Sequence, residues 1–334
     1  MKKLALSLAI STLAMSASAM DAMPKEAGFS GFLAAGAAGG NVESNFLAKV
    51  LGIDLSNDNI YSYDSPSQTD IIIPSFNYNL GYTFSNLKTR IYAGTAVEDS
   101  LDFSSNTVIA VRHDFDSLGG IELAGLAPGV AKTEVWENPY QLVQDRSATE
   151  RTTSGGRLTW DNMFGTGLEF VANVRKVNID DERSGQGLGL SASEQKLLDR
   201  EGDVSRYELG YALDCADNLV VTPSVAYIDR DLDGKAMAQD GYELGLSVVY
   251  SADNYTWLNR VVYQSLDGDQ ENPIFNQTND AEVYVLASEV RIPNPLGFDK
   301  WFTTVGFQWA ENQADIDFNK SSIAMFSARI GRNF

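Results

Sequence analysis

The chain has 334 residues, a formal net charge of −20 and 44% hydrophobic residues. Such acidity repels phosphate and argues against nucleic acid as a partner, while Tyr, Phe and Trp spread along the chain oppose disorder. Cys215 and His113 are the only residues of their kinds, which excludes an intrachain disulfide, a Cys-type structural metal site and His-rich metal centres.

At the N-terminus, Lys2 and Lys3 precede an apolar stretch from Leu4 to Met15, and Ala17-Ser18-Ala19 follows. Basic region, short apolar core and small-residue site come in the order of a cleaved signal peptide, and the core is too short to span a bilayer. Residues 1–19 are therefore expected to be removed, leaving residues 20–334 as one domain. No later apolar run is long enough for a helical span.

The rest of the chain alternates with a period of two, which argues for two-faced strands. Phe76, Tyr78, Leu80, Tyr82 and Phe84 form one apolar row. Tyr207, Leu209, Tyr211 and Leu213 form another, as do Leu219, Val221, Val225 and Tyr227. Tyr242, Leu244, Leu246, Val248 and Tyr250 oppose Glu243, Gly245 and Ser247; Trp301, Thr303, Val305, Phe307 and Trp309 oppose Thr304, Gly306 and Gln308. A soluble sandwich also alternates. Two features favour a membrane barrel. Tyr242 with Tyr250, and Trp301 with Trp309, cap their rows as a membrane girdle would; eight strand residues climb roughly 26 Å, or about 20 Å when tilted, close to an outer-membrane apolar band. The strands are also longer than the usual five or six residues.

Short and long connections alternate, as periplasmic turns and extracellular loops do. The pattern yields about fourteen strands: 28–38, 71–84, 87–97, 106–116, 119–134, 151–161, 165–179, 204–214, 218–229, 240–251, 254–266, 281–292, 300–310 and 321–334. Twelve is the alternative if 119–134 and 151–161 are mis-paired. The expected fold is thus all-β, a single transmembrane antiparallel up-and-down barrel with both chain ends on the periplasmic side. The final Phe334 matches the aromatic residue that barrel-assembly machinery reads at the end of such barrels. Arg332, on the same outward register as Phe326, Ala328 and Ile330, departs from the usual apolar pattern and is expected to snorkel.

Charged residues on a lipid face are costly, so Arg90, Arg112, Arg157, Arg175, Arg206, Glu208, Glu243, Arg260, Glu289, Arg291 and Arg329 are expected to line the lumen. Two readings stand side by side. One is a hydrated pore in which arginines favour anions. The other is charge pairs that fill a narrow interior.

Motifs for other chemistry are poor. Asp229, Asp231 and Asp233, with Gly234 and then Asp240, follow calcium-loop spacing except for Asp at the last position; the plainer reading is an acidic hairpin loop. Ser191-x-x-Glu194 before Leu197 and Leu198 is a capping-box pattern for a short loop helix. Ser193-x-x-Lys196 lacks the companion elements of acyl-transfer enzymes, and Gly185, Gly187 and Gly189 follow no βαβ strand. A Ser/His hydrolase would need His113, which sits on the apolar register with Val111 and Phe115. Clustered rim carboxylates could still serve an acid hydrolase.

Two segments carry a resemblance. Gly28-Phe29-Ser30-Gly31 through Asn45-Phe46, and Val135-Trp136-Glu137-Asn138-Pro139-Tyr140 with Arg146 and Arg151-Thr152, resemble an outer-membrane barrel family of marine gammaproteobacteria that is catalogued as a domain of unknown function. The resemblance implies an outer-membrane barrel and supplies no catalytic residues. The expected function is a porin-like channel of a Gram-negative outer membrane for passive diffusion of small hydrophilic solutes, anions among them, and not an enzyme. Lipid, lipopolysaccharide and the assembly machinery are the expected partners. The alternatives are a structural or adhesive barrel whose acidic loops bind cations, and an outer-membrane hydrolase. No cofactor is expected beyond the calcium reading.

Overall fold

The computed structural model describes residues 23–55, 58–99, 101, 104–129 and 132–334; the expected signal peptide lies outside the described residues. Fourteen antiparallel strands form the wall: β1 (Gly28–Ser44), β2 (Gln68–Thr83), β3 (Thr89–Asp99), β4 (Ser104–Phe115), β5 (Gly119–Pro128), β6 (Ala148–Asp161), β7 (Leu168–Ile179), β8 (Gly202–Tyr211, resumed at Leu213–Ala216), β9 (Leu219–Leu232), β10 (Gln239–Ser251), β11 (Thr256–Gly268), β12 (Ala281–Pro293), β13 (Trp301–Ala314) and β14 (Ser321–Asn333). Each pairs with the next. β14 returns to β1 from Phe32↔Asn333 to Ser44↔Ser321, closing the ring. The count is fourteen and not twelve, and closure leaves no edge strand to aggregate.

The alternation sorts side chains as the sequence indicates. On β10, Tyr242 and Leu244 are exposed while Glu243 and Ser247 are buried. Aromatic pairs mark both rims of the outer surface. Near the long loops, Tyr227 packs on Tyr242 at 5.6 Å and Tyr263 on Tyr284 at 5.3 Å. Near the short turns stand Trp160 with Phe164, Tyr250 with Tyr255, and Trp301. Trp309 lies short of the end of its strand, which runs on to Ala314. Arg332 leans over the rings of Trp301 and Phe334, so its charge reaches the rim while its stem covers apolar surface. Leu244→Arg places a charge on the lipid face. It is expected to lower unfolding free energy by about 2–4 kcal/mol, read by urea titration in lipid vesicles; an unchanged midpoint would count against the lipid assignment.

Several boundaries differ from the sequence reading, each for a backbone reason. β1 continues past residue 38, because Asn41 to Ser44 keep pairing with β14. The stretch expected as one strand over 119–134 stops at Pro128 and resumes as Thr133–Trp136, since proline has no N–H to give the ladder. β8 is interrupted between Gly210↔Ser224 and Leu213↔Val221, opposite Pro223. At the start of β5, Gly119 has φ +90°, and a Cβ there would lie 2.2 Å from the Asp161 carbonyl oxygen.

One stretch of wall is rebuilt on the loop side. β2 pairs with β3 only from Asn79↔Gly94 to Thr83↔Arg90. Leu101, at the tip of the β3–β4 hairpin, packs with Ile228, Leu266, Ala281, Val283 and Ala314 on the opposite wall. The hairpin therefore leans across the lumen. Its place beside Thr133–Trp136 is taken by Leu47–Val50, through Leu47↔Val135 and Val50↔Thr133. Thr69 of β2 reaches the same inserted segment, donating to the Leu55 carbonyl at 2.7 Å. Pro74 lies where β2 lacks a ladder partner on its β3 side, a position that suits a residue with no N–H.

Candidate functional site: lumen and cap

The lumen changes character along its axis. Its middle and its turn side are charged. Arg206 donates to Glu208 at 2.8 Å and to Glu243 at 2.5 Å. Arg260 donates to the same two carboxylates at 3.1 and 3.2 Å, and Gln264 completes Glu243 at 2.9 Å. Arg329 pairs with Glu289 and reaches Thr304 and Ser75. Arg112 clamps Asp161 with both terminal nitrogens, at 2.7 and 3.2 Å. Arg157 lies 3.6 Å from Glu122. Arg90 donates to Asn79; Arg291 donates to Asn333 and stacks 3.8 Å from the Phe302 ring centre. Of the charged residues named from the sequence, Arg112, Arg157, Arg206, Arg260, Arg329, Glu208, Glu243 and Glu289 meet an opposite charge.

The loop-side half carries an apolar wall, which the sequence reading did not anticipate. Val42, Ile71, Ile73, Ile323 and Met325 face inward and pack on Leu47, Val50 and Leu55. A signal was present: Ile71-Ile72-Ile73 is apolar on both faces of its strand.

Above this layer the long loops form a cap. Phe318, fully buried, sits at its centre, with ring centres 5.3 to 5.9 Å from Tyr140, Tyr63, Phe46 and Phe275. Each of the four comes from the loop after β1, the loop before β6 or the loop after β11. The Tyr140 hydroxyl reaches the Met237 sulfur at 3.4 Å, and burial pushes its phenol up. Arg146 donates to the carbonyls of Asn45 and Pro139 and lies over the Trp136 ring. Burial lowers its pKa to about 10, so it stays cationic at neutral pH. The expected loop helix is α1 (Ala192–Lys196), with the reciprocal Ser191–Glu194 capping box formed. Those hydrogen bonds hold the Glu194 carboxyl below its usual range.

Between cap and charged layer lies a cavity of about 170 Å³. Four arginines line it, Arg151, Arg175, Arg200 and Arg230, and among the described residues no Asp or Glu does. Arg200 is held by Glu182 at 2.7 Å and by the Trp136 carbonyl. Arg230 donates to the neutral Gln239.

The calcium-loop spacing takes another form. Asp229 and Asp231 lie within β9, where extended backbone cannot wrap an ion; Asp229 faces Asp240 across the ladder, and Asp231 pairs with Lys235. Among the described residues, no group of three or more His, Cys, Asp or Glu is placed to hold a metal ion. His113 Nδ1 is 2.8 Å from the Thr89 hydroxyl at the turn side, while Ser193 lies in α1 at the loop side. The two stand at opposite ends of the barrel.

A family model described as "Protein of unknown function (DUF2860)" matches residues 28–333. The chain belongs to this family. No curated protein matches. Among solved structures, the chain is similar to the outer membrane channel DcaP of Acinetobacter baumannii, at 9% identity and TM-score 0.43, covering 92% of this chain and 96% of that one. A Pseudomonas aeruginosa FadL homologue gives 11%, 0.42, 92% and 89%. OmpT of Vibrio cholerae gives 10%, 0.41, 93% and 100%. The two segments that carried the family resemblance meet in the cap: Arg146 joins Asn45 to Trp136, and Phe46 packs on Tyr140. Asn138 ties this knot to the loop after β7, accepting from Gly185 and donating to the Gln186 carbonyl.

Proposed function

We propose that this chain is a capped channel of a Gram-negative outer membrane that admits small polar solutes, anions among them. The observation that carries the reading is the sub-cap cavity inside a closed lipid-facing ring, bordered by four arginines and, among the described residues, by no carboxylate. Carboxylates below that level are largely neutralised by their own arginines, so the local field there need not repel an anion. Lipid and lipopolysaccharide surround the aromatic rims, and Phe334 serves the assembly machinery. No residue is assigned a catalytic role.

Single-channel recording in planar bilayers under a salt gradient tests this. Small, flickering conductance is expected while the cap is intact, with a reversal potential displaced toward the anion. A barrel that stays silent with the cap intact and with it loosened would refute the reading, and a cation-selective potential would refute its anionic part.

A further inference from the structure

The Arg175 guanidinium is the unusual group in this lumen. Its residue is only 8% exposed, and it lines the sub-cap cavity. Among the described residues it has neither an ion pair nor a hydrogen-bond partner, and its Nε is buried without one. Elsewhere in the lumen, Arg206, Arg260, Arg112 and Arg329 each hold a carboxylate. A buried cation without a counter-charge is costly, and an entering anion removes that cost. Arg230, facing the same cavity, has among the described residues only an amide oxygen for a partner.

The rest of the lining sets the kind of anion. Leu47, Val177, Ile179 and Val204 supply apolar wall beside the polar Asn279, Asn312 and Asn319, and the apolar part would give nothing to a fully hydrated inorganic ion. The volume, about 170 Å³, is close to the roughly 150 Å³ cavity that accepts benzene. We propose that this cavity is a binding site for a small organic anion, a carboxylate on a compact apolar body, with Arg175 as its anchor and Arg230 as a second donor. A planar guanidinium fork matches a carboxylate in two parallel hydrogen bonds. The proposal deepens the channel reading and rests on it for the route by which the anion arrives, but binding is measurable without transport.

The test is calorimetric titration of the purified full barrel in detergent with benzoate, hexanoate and the uncharged isostere benzamide. Saturable binding of at least one carboxylate is expected, with none for benzamide. Arg175→Gln should weaken it at least tenfold, and Arg175→Lys should recover part of the loss. Both variants should keep the mobility of a folded barrel on unheated gels, because they break no pairing. No saturable carboxylate binding, equal affinity in Arg175→Gln, or equal binding of benzamide would overturn the site. A barrel that binds benzoate yet never conducts overturns the channel alone; one that conducts and binds neither carboxylate overturns the site alone.

Discussion

Arg260→Ala is expected to lower the unfolding free energy of the folded barrel by about 3–5 kcal/mol, because it leaves a buried carboxylate uncompensated. Arg260 is among the most buried large side chains of the described residues, at 2% exposure, and Glu208 and Glu243 stand at 1% and 3%. With Arg206 they form a balanced square of two cations and two anions. Removing Arg260 strands one negative charge where water cannot reach it. The double variant Arg260→Ala with Glu208→Gln restores one cation to one anion and should recover a large part of the loss. The exposed Arg183, paired with Glu137 and Asp181, is the control: Arg183→Ala should change stability by under about 1 kcal/mol. Urea titration in vesicles, followed by tryptophan fluorescence, reads all three. If Arg260→Ala unfolds at the wild-type midpoint, the square is hydrated and the lumen is wetter than the packing indicates.

Phe318→Ala should open the mouth while the wall stays folded. Truncating a buried phenylalanine costs about 3–5 kcal/mol, and here the loss falls on the cap, where Phe318 touches four rings contributed by three loops. A 3 kcal/mol loss shifts a closed-to-open balance by roughly a hundredfold. Conductance in planar bilayers should rise from rare flickers to sustained steps, and trypsin should begin to cut at Arg183 and Lys196. The strand ladders are untouched, so gel mobility of the unheated protein should stay that of a folded barrel. Sustained conductance in the wild type, unchanged in Phe318→Ala, would mean that the cap is no barrier.

Much of the architecture was legible in the residues themselves. Alternation of Tyr242, Leu244 and Leu246 against Glu243 and Ser247, with turns and loops in strict order, determined a two-faced wall, its strand number and the inward placement of the charged side chains. That follows because strand side chains point to opposite faces every second residue, so a local pattern fixes a local orientation. The Ser191 capping box was equally local. Three things were decided only by the closed ring. Which arginine meets which carboxylate depends on register between strands far apart in sequence, as with Arg206 and Glu243. The cap depends on Phe46, Tyr140, Phe275 and Phe318, which are isolated aromatics in separate loops until closure brings those loops over one mouth. Arg175 reads in sequence like any other lumen arginine. Its lack of a partner among the described residues is a property of the space around it, which no periodicity along the chain encodes.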